Sequence, residues 1–235
     1  MHEGHRARVR DRYEQEGLDA FSLHNVLEMV LFFVIPRGDT NPIAHRLVEK
    51  YHTLSAILEA PAEELAQIEG IGSNAASFLA MIPHLCRLYL TDLTMPQGDR
   101  FLNTTQIGNY LTSRLLGYDH EVVLLMLLGS SGKLRCCEKI GTGSLHSADL
   151  DMRKLLTLCA KYGGSRAILA HNHPDGLAFP SIEDMRTTER LIDILKTGGI
   201  RLEDHIIVSG TDFVSCAASN LMPKSEERTD SDTPS

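Results

Sequence analysis

The sequence predicts an α+β protein in which an all-helical N-terminal module precedes an α/β domain. Three observations carry this. Apolar residues recur at helical spacing early in the chain, as in Leu23, Val26, Leu27, Val30 and Leu31. A continuous apolar run, Val122 to Leu128, ends at Gly129-Ser-Ser-Gly132, the pattern of a buried strand leading into a hairpin. Beyond it, short apolar stretches alternate with helical-period segments, as a sheet with packed helices requires.

Taken in order, Ser22 stands where an N-cap is wanted for the first apolar helix, and Pro42 after Asn41 opens the next, with Ile43, Ala44, Leu47 and Val48 on one face. Leu54 to Leu58 makes a short helix, and Pro61 begins another. Gly70-Ile71-Gly72 is a tight turn, followed by a helical pattern to about Leu90, in which Pro83 predicts a kink or break. Residues 1–92 therefore form the helical module. Leu93 to Leu102, with Pro96, Gln97 and Gly98, reads as a linker, and 103–222 as the second domain. There, Lys133 to Ile140 is the return strand after the Val122 run. Asp149 to Tyr162 is helical, Arg166 to Ala170 a short buried strand and Asp184 to Thr197 a helix stopped by Gly198-Gly199. His205 to Ser209 and Phe213 to Cys216 are strand-like. The polar tail, residues 223–235, has the composition of a disordered segment.

Composition narrows the class. The chain of 235 residues is 43% hydrophobic and 23% charged, the balance of a soluble globular protein. It has no run of about eighteen apolar residues, so no membrane span is expected. The basic N-terminus has no apolar stretch behind it, so it is not read as a signal peptide. Five scattered cysteines without a C-x-x-C pair predict reduced thiols and a cytoplasmic location. Adjacent Cys136 and Cys137 are read as packing residues. A net charge of -8 argues against broad electrostatic capture of nucleic acid.

The chemistry concentrates in the segment from Ala170 to Asp184. On a strand, His171 and His173 point to the same face and can present their imidazoles to one point. Pro174 and Gly176 turn the chain, and Pro180-Ser181 starts a helix with Asp184 in its first turn. Two neutral imidazoles and one carboxylate make three ligands for one zinc ion per chain, with the fourth position open to water, as in catalytic sites. Such a site needs a proton carrier, and Glu138 on the return strand is the candidate general acid/base. Ser181 could donate a hydrogen bond to an oxyanion. Ser181 and Asp184 also have the spacing of an acidic capping box. A carboxylate that bonds the N-cap amide is poorly placed to bind zinc as well, and the neighbouring histidines favour the ligand role for Asp184.

The pattern Glu138…His171-x-His173-Pro174…Ser181-x-x-Asp184 resembles the JAMM/MPN+ metalloprotease motif. The fuller wording from His171 to Asp184, with Leu202-Glu-Asp-His-Ile-Ile-Val208 downstream, is similar to the RadC family. The resemblance covers nearly the whole chain, since that family also carries an N-terminal helical region with a Gly-Ile-Gly hairpin. It implies a JAMM/MPN domain of cytidine-deaminase-like architecture, zinc on His171, His173 and Asp184, Glu138 as acid/base and Ser181 as oxyanion helper. It further implies a metallopeptidase or isopeptidase-like hydrolase acting on a peptide or protein. Deaminase chemistry is disfavoured, because the His-x-Glu and Pro-Cys-x-x-Cys signature is absent. Two departures stand out: the stretch before the central helix is Asp149 to Arg153 rather than Pro-Arg, and Asp175 replaces a serine beside the histidines.

The alternative is a DNA-associated repair or recombination accessory protein with a non-catalytic metal. The Gly70-Ile71-Gly72 turn resembles a helix-hairpin-helix, whose backbone N–H groups can cradle a phosphate. Ser73 and Asn74 follow it, however, and Glu63, Glu64 and Glu69 surround it. The arginines at 6, 8, 10 and 12 offer phosphate contacts or an ordinary solvated face. His205 is read as making a strand-end hydrogen bond. Oligomeric state is not encoded in any of these features.

Overall fold

The computed structural model describes residues 2–143, 150–174 and 176–223. The expected helix start at Asp149, the charge at Asp175 and the tail beyond Pro223 lie outside the described residues. The chain divides into two compact units, Met1–Cys86 and Arg87–Ser235.

The first unit is helical, with α1 (His2–Glu16), α2 (Leu23–Phe32), α3 (Asn41–Tyr51), α4 (Leu54–Glu59) and α5 (Ala62–Leu65). Then comes α6 (Ser73–Thr94), within which the division between units falls. Leu27, Leu31, Ile43, Leu47, Ile57, Leu65, Ile71 and Leu79 form one buried core, the apolar faces that the helical spacing marks. Pro42 occupies the first turn of α3, where its missing N–H has no intrahelical partner to lose. Helix α6 runs on through Pro83, so the expected break is absent.

Helix α1 is polar all round, and side chains rather than an apolar stripe attach it. Arg6 donates to the Ile35 and Gly38 carbonyls at 2.8 and 2.9 Å, beyond the C-terminus of α2. Arg12 donates to the Ala20 carbonyl at 2.7 Å. Arg6, Arg10 and Arg12 also lie over the rings of Phe32, Phe33 and Phe21. Three of the four arginines that offered phosphate contacts are therefore engaged within the fold. His5 meets the fully buried Glu28 at 2.8 Å, and Asn41 donates to the other oxygen of that carboxylate.

In the second unit, a short 3-10 turn at Gln97–Asp99 leads to Arg100, which bridges to Lys133, and to Phe101, which is buried in the core. There follow α7 (Thr104–Leu115), β1 (Val122–Leu128), β2 (Leu134–Thr142), α8 (Met152–Tyr162) and β3 (Arg166–Asn172). The last elements are α9 (Ile182–Thr197), β4 (Arg201–Ser209) and β5 (Asp212–Ser215). The strands form one mixed sheet in the order β2-β1-β3-β4-β5. Among the described residues only β3 and β4 pair in parallel, and α9 is their crossover. All seven residues of β1 are buried and alternate between two cores. Leu124 and Met126 pack with α7 on one face, and Val123, Leu125 and Leu127 with α8 and α9 on the other. Helix α7 was not anticipated, although Asn103 caps it through a 2.9 Å bond from Gln106 N–H and Ile107, Tyr110 and Leu111 face the core. Cys136 and Cys137 are buried free thiols on opposite faces of β2. Among the described residues, no helix is long and apolar enough to cross a membrane.

The glycine hairpin in the first unit has a packing reason. Gly70 holds φ +95°, and a Cβ there would meet Ile43 Cδ1 at 2.6 Å. Gly70→Ala is expected to destabilise the protein by about 1–3 kcal/mol, through strain and overpacking together. Urea unfolding followed by helical circular dichroism measures this; an unchanged midpoint would contradict the role.

Candidate metal centre

Strand β3 carries the first two candidate ligands because its alternation continues one residue past its end. His171 pairs with Val123 of β1 and Ile207 of β4, so it sits between two strands and is only 1% exposed. His173 N–H still donates to the Val208 carbonyl at 2.8 Å, keeping the chain extended until Pro174 turns it. Asn172, on the alternate face, closes the strand end: its Oδ1 accepts from Val122 N–H at 2.7 Å and its Nδ2 donates to the His120 carbonyl at 3.0 Å.

The third candidate comes from the start of α9. Ser181 is its N-cap, and a complete capping box forms with Asp184. Asp184 N–H donates to Ser181 Oγ at 3.1 Å, and Ser181 N–H donates to Asp184 Oδ2 at 2.7 Å. The Ser181 hydroxyl donates to the same oxygen at 2.6 Å. The two roles weighed against each other for Asp184 are thus divided between its oxygens. Oδ2 serves the cap, while Oδ1 lies 3.5 Å from His171 Nε2. Ser181 has one hydroxyl proton, and Asp184 takes it. In this arrangement Ser181 orients the carboxylate and has no proton left for an oxyanion.

Around one point, His171 Nε2 and His173 Nε2 are 2.8 Å apart, and Asp184 Oδ2 is 3.7 Å from His173 Nε2. All three candidate ligand atoms lie within 4.8 Å of one another. Tetrahedral zinc with bonds of 2.0–2.1 Å separates its ligand atoms by about 3.3 Å, so the donor set fits such an ion. His173 Nδ1 is 2.9 Å from the Leu177 carbonyl, which can only accept. That fixes the proton on Nδ1 and, in the neutral ring, leaves Nε2 as a bare lone pair aimed at the other ligands.

The electrostatics keep Asp184 ionised. Burial alone would raise the Asp184 pKa, but His171, His173 and Ser181 hold it far below the ordinary 3.8. The same carboxylate raises His173 above the ordinary 6.5, against an opposing effect of burial and with help from the Leu177 carbonyl. Burial first, and then the charge of His171, lower His205 well below 6.5 and keep it neutral.

Glu138 does not join this group. It pairs with Leu125, whose other partner is Leu169. That is two strands across and two residues along from His171, about 12 Å between Cα atoms at ordinary strand spacings. Its charge acts on Cys136 and Arg114 instead. The acid beside the cluster is Glu121. Counting two residues back from the Val123–His171 pair puts it opposite His173 on the same face, and its negative charge contributes to the raised pKa of His173. The Glu121 carbonyl accepts from Gly143 N–H at 2.8 Å, which ties down that position. The sequence signal for Glu121 is its place immediately before the buried run; only strand register singles it out.

Residues 101–221 match the RadC-like JAB domain family. The chain is similar to UPF0758 protein FN0909 of Fusobacterium nucleatum subsp. nucleatum, 30% identical over 227 residues, covering 94% of this chain and 97% of that protein. UPF0758 protein IL0240 of Idiomarina loihiensis is 32% identical over 215 residues, covering 92% and 96%.

Two outcomes are expected of this centre. His171→Ala, His173→Ala and Asp184→Asn should each lower zinc affinity by more than the roughly 10–100-fold typical of outer-sphere changes. Chelator competition and elemental analysis would measure this. Zinc must also displace the proton that Asp184 favours on His173. Affinity should therefore fall as pH is lowered through a value above 6.5, with proton release on binding. A pH-independent affinity between neutral and mildly acidic conditions would refute this assignment.

Proposed function

This chain belongs to the RadC family and carries its JAB/MPN-type domain, and on that premise we propose that it is a zinc-dependent hydrolase of peptide or isopeptide bonds. The observation that carries the proposal is the convergence of His171 Nε2, His173 Nε2 and an Asp184 oxygen on one point, with Glu121 opposite His173. Zinc held there would polarise a carbonyl and lower the pKa of its water to about 7. The chain's own residues do the rest. Asp184 is held in place by Ser181, so its free oxygen, Oδ1, faces His171 without rearrangement. Glu121 accepts the proton of the attacking water and passes it to the leaving amine, the role that strand position and the motif resemblance gave to Glu138. Leu177, Phe179 and Ile182 are exposed between and beside the ligands, and offer apolar surface to a polypeptide.

The test uses the zinc-loaded chain and a proteome-derived peptide library, with new termini read by mass spectrometry. Glu121→Gln should keep one zinc per chain and lose cleavage by about 10²–10⁴-fold, the usual worth of a general acid/base. Glu138→Gln should keep both within a few-fold. Cleavage that survives Glu121→Gln and is lost in Glu138→Gln would return the role to Glu138. Zinc binding without any cleavage would favour a non-catalytic metal.

A further inference from the structure

Behind the candidate ligands runs a row of buried polar side chains that the hydrolytic scheme does not use. His171 Nδ1 lies 2.8 Å from His205 Nε2. His205 Nδ1 lies 2.7 Å from Thr188 Oγ1, and Thr188 Oγ1 lies 2.6 Å from the backbone carbonyl of Asp184. His205 and Thr188 are 0% exposed, and His171 is 1% exposed. The row starts at the main chain of one candidate ligand, Asp184, and ends at the ring of another, His171.

Proton bookkeeping gives the row a direction. The Asp184 carbonyl can only accept, and in the first setting Thr188 spends its single hydroxyl proton there. Thr188 Oγ1 must then accept from His205, which places the proton of that neutral ring on Nδ1. His205 Nε2 is left as an acceptor, and His171 donates to it from Nδ1. The remaining nitrogen of His171, Nε2, is unprotonated and faces His173 and Asp184. Every step follows from the one before, and the last is the lone pair that a metal needs.

Reversing each proton gives the other self-consistent setting. Thr188 then donates to His205 Nδ1, His205 Nε2 donates to His171 Nδ1, and His171 carries its proton on Nε2. That proton points at His173 Nε2, 2.8 Å away, and closes the site to a metal. The two settings differ in which acceptor takes the Thr188 proton, the Asp184 carbonyl or His205.

We infer that Thr188 and His205 are positioning residues for the metal: a hydroxyl-terminated relay that sets His171 in the tautomer whose Nε2 binds the ion. The inference rests on the proposed metal site but not on peptide hydrolysis. Residue type supports it. An acceptor that also donates is needed at the end of the row, and a hydroxyl supplies both where valine, of nearly the same shape, supplies neither.

The experiment combines zinc affinity by competition with a chromophoric chelator and histidine 15N–1H correlation spectra of the zinc-loaded chain. Thr188→Val should weaken zinc binding by about 10–100-fold, the range for partners that orient a ligand, and Thr188→Ser should restore it. In zinc-loaded wild type, His205 should carry its proton on Nδ1 and none on Nε2. Affinity of Thr188→Val within two-fold of wild type, or a proton on His205 Nε2 in the loaded protein, overturns the relay. Loss of affinity in Thr188→Ser as great as in Thr188→Val also overturns it, because packing rather than the hydroxyl would then be responsible. If wild type takes up no zinc, the metal proposal itself fails, a result distinct from each of these.

Discussion

The start of α9 is the constraint on which the site depends. A helix leaves its first N–H groups without intrahelical partners, and here Ser181 and Asp184 satisfy two of them reciprocally. Because the same carboxylate faces His171 and His173, helix initiation and assembly of the ligand set become one event. Sharing is possible only because a carboxylate has two oxygens and Ser181 occupies one of them with two donors. A carboxylate on a free loop would lose conformational freedom on meeting a metal. Here the cap has already taken that freedom, so the ligand is preorganised.

The sheet supplies the other half of the geometry. Strand β3 lies between β1 and β4 and is covered on both faces, which fixes its register: a slip of one residue would turn His171 out of its layer and an apolar neighbour into it. That register brings together residues far apart in sequence. Glu121 comes to face His173 across the antiparallel pairing with β1. The parallel pairing sets β4 beside β3, and His205 meets His171 within hydrogen-bonding distance. Asn172 contributes by stitching the end of β3 to the segment that bears Glu121. The row His-Asn-His therefore divides its labour by face, with outer residues toward the candidate metal site and the middle one toward the strand edge.

What could be read from the sequence, and what could not, follows from range. His171, His173, Ser181 and Asp184 lie within fourteen consecutive residues, so strand alternation and helix-start chemistry were enough to group them. The layer order, apolar helices and then a sheet with helices, was legible for the same reason, since each element carries its own period. Which glutamate lies beside the histidines was not. Glu121 precedes β1 and Glu138 lies within β2 of the same hairpin, and both fall on the face of His171; only the pairing of β1 with β3 separates them. His205 was read as a strand-end residue because nothing local shows that Thr188, one turn past Asp184, points at it. Helix α1 was equally hidden, since hydrogen bonds and cation–π contacts to residues well along the chain attach it instead of an apolar stripe. Helix α7 differs: its cap, Asn103, and its apolar spacing at Ile107, Tyr110 and Leu111 are local features of the sequence.

The buried polar cluster itself argues that the second unit is built around a charge it must neutralise. His171, Asp184, Thr188 and His205 are each 3% exposed or less and sit beside the apolar layer that α9 and the sheet share. A fold selected only for stability would fill that volume with aliphatic side chains, because burying polar and charged groups costs free energy even when they are paired. Hydrogen bonds account for His205, Thr188 and one oxygen of Asp184. They do not account for the other Asp184 oxygen together with two ring nitrogens 2.8 Å apart, for which a proton is a partial answer and a divalent cation a complete one. The His171, His173 and Asp184 group is thus arranged as a site that could hold a metal ion. On this argument metal binding should stabilise the fold as well as equip it for chemistry, since the ion binds only the folded arrangement of its ligands.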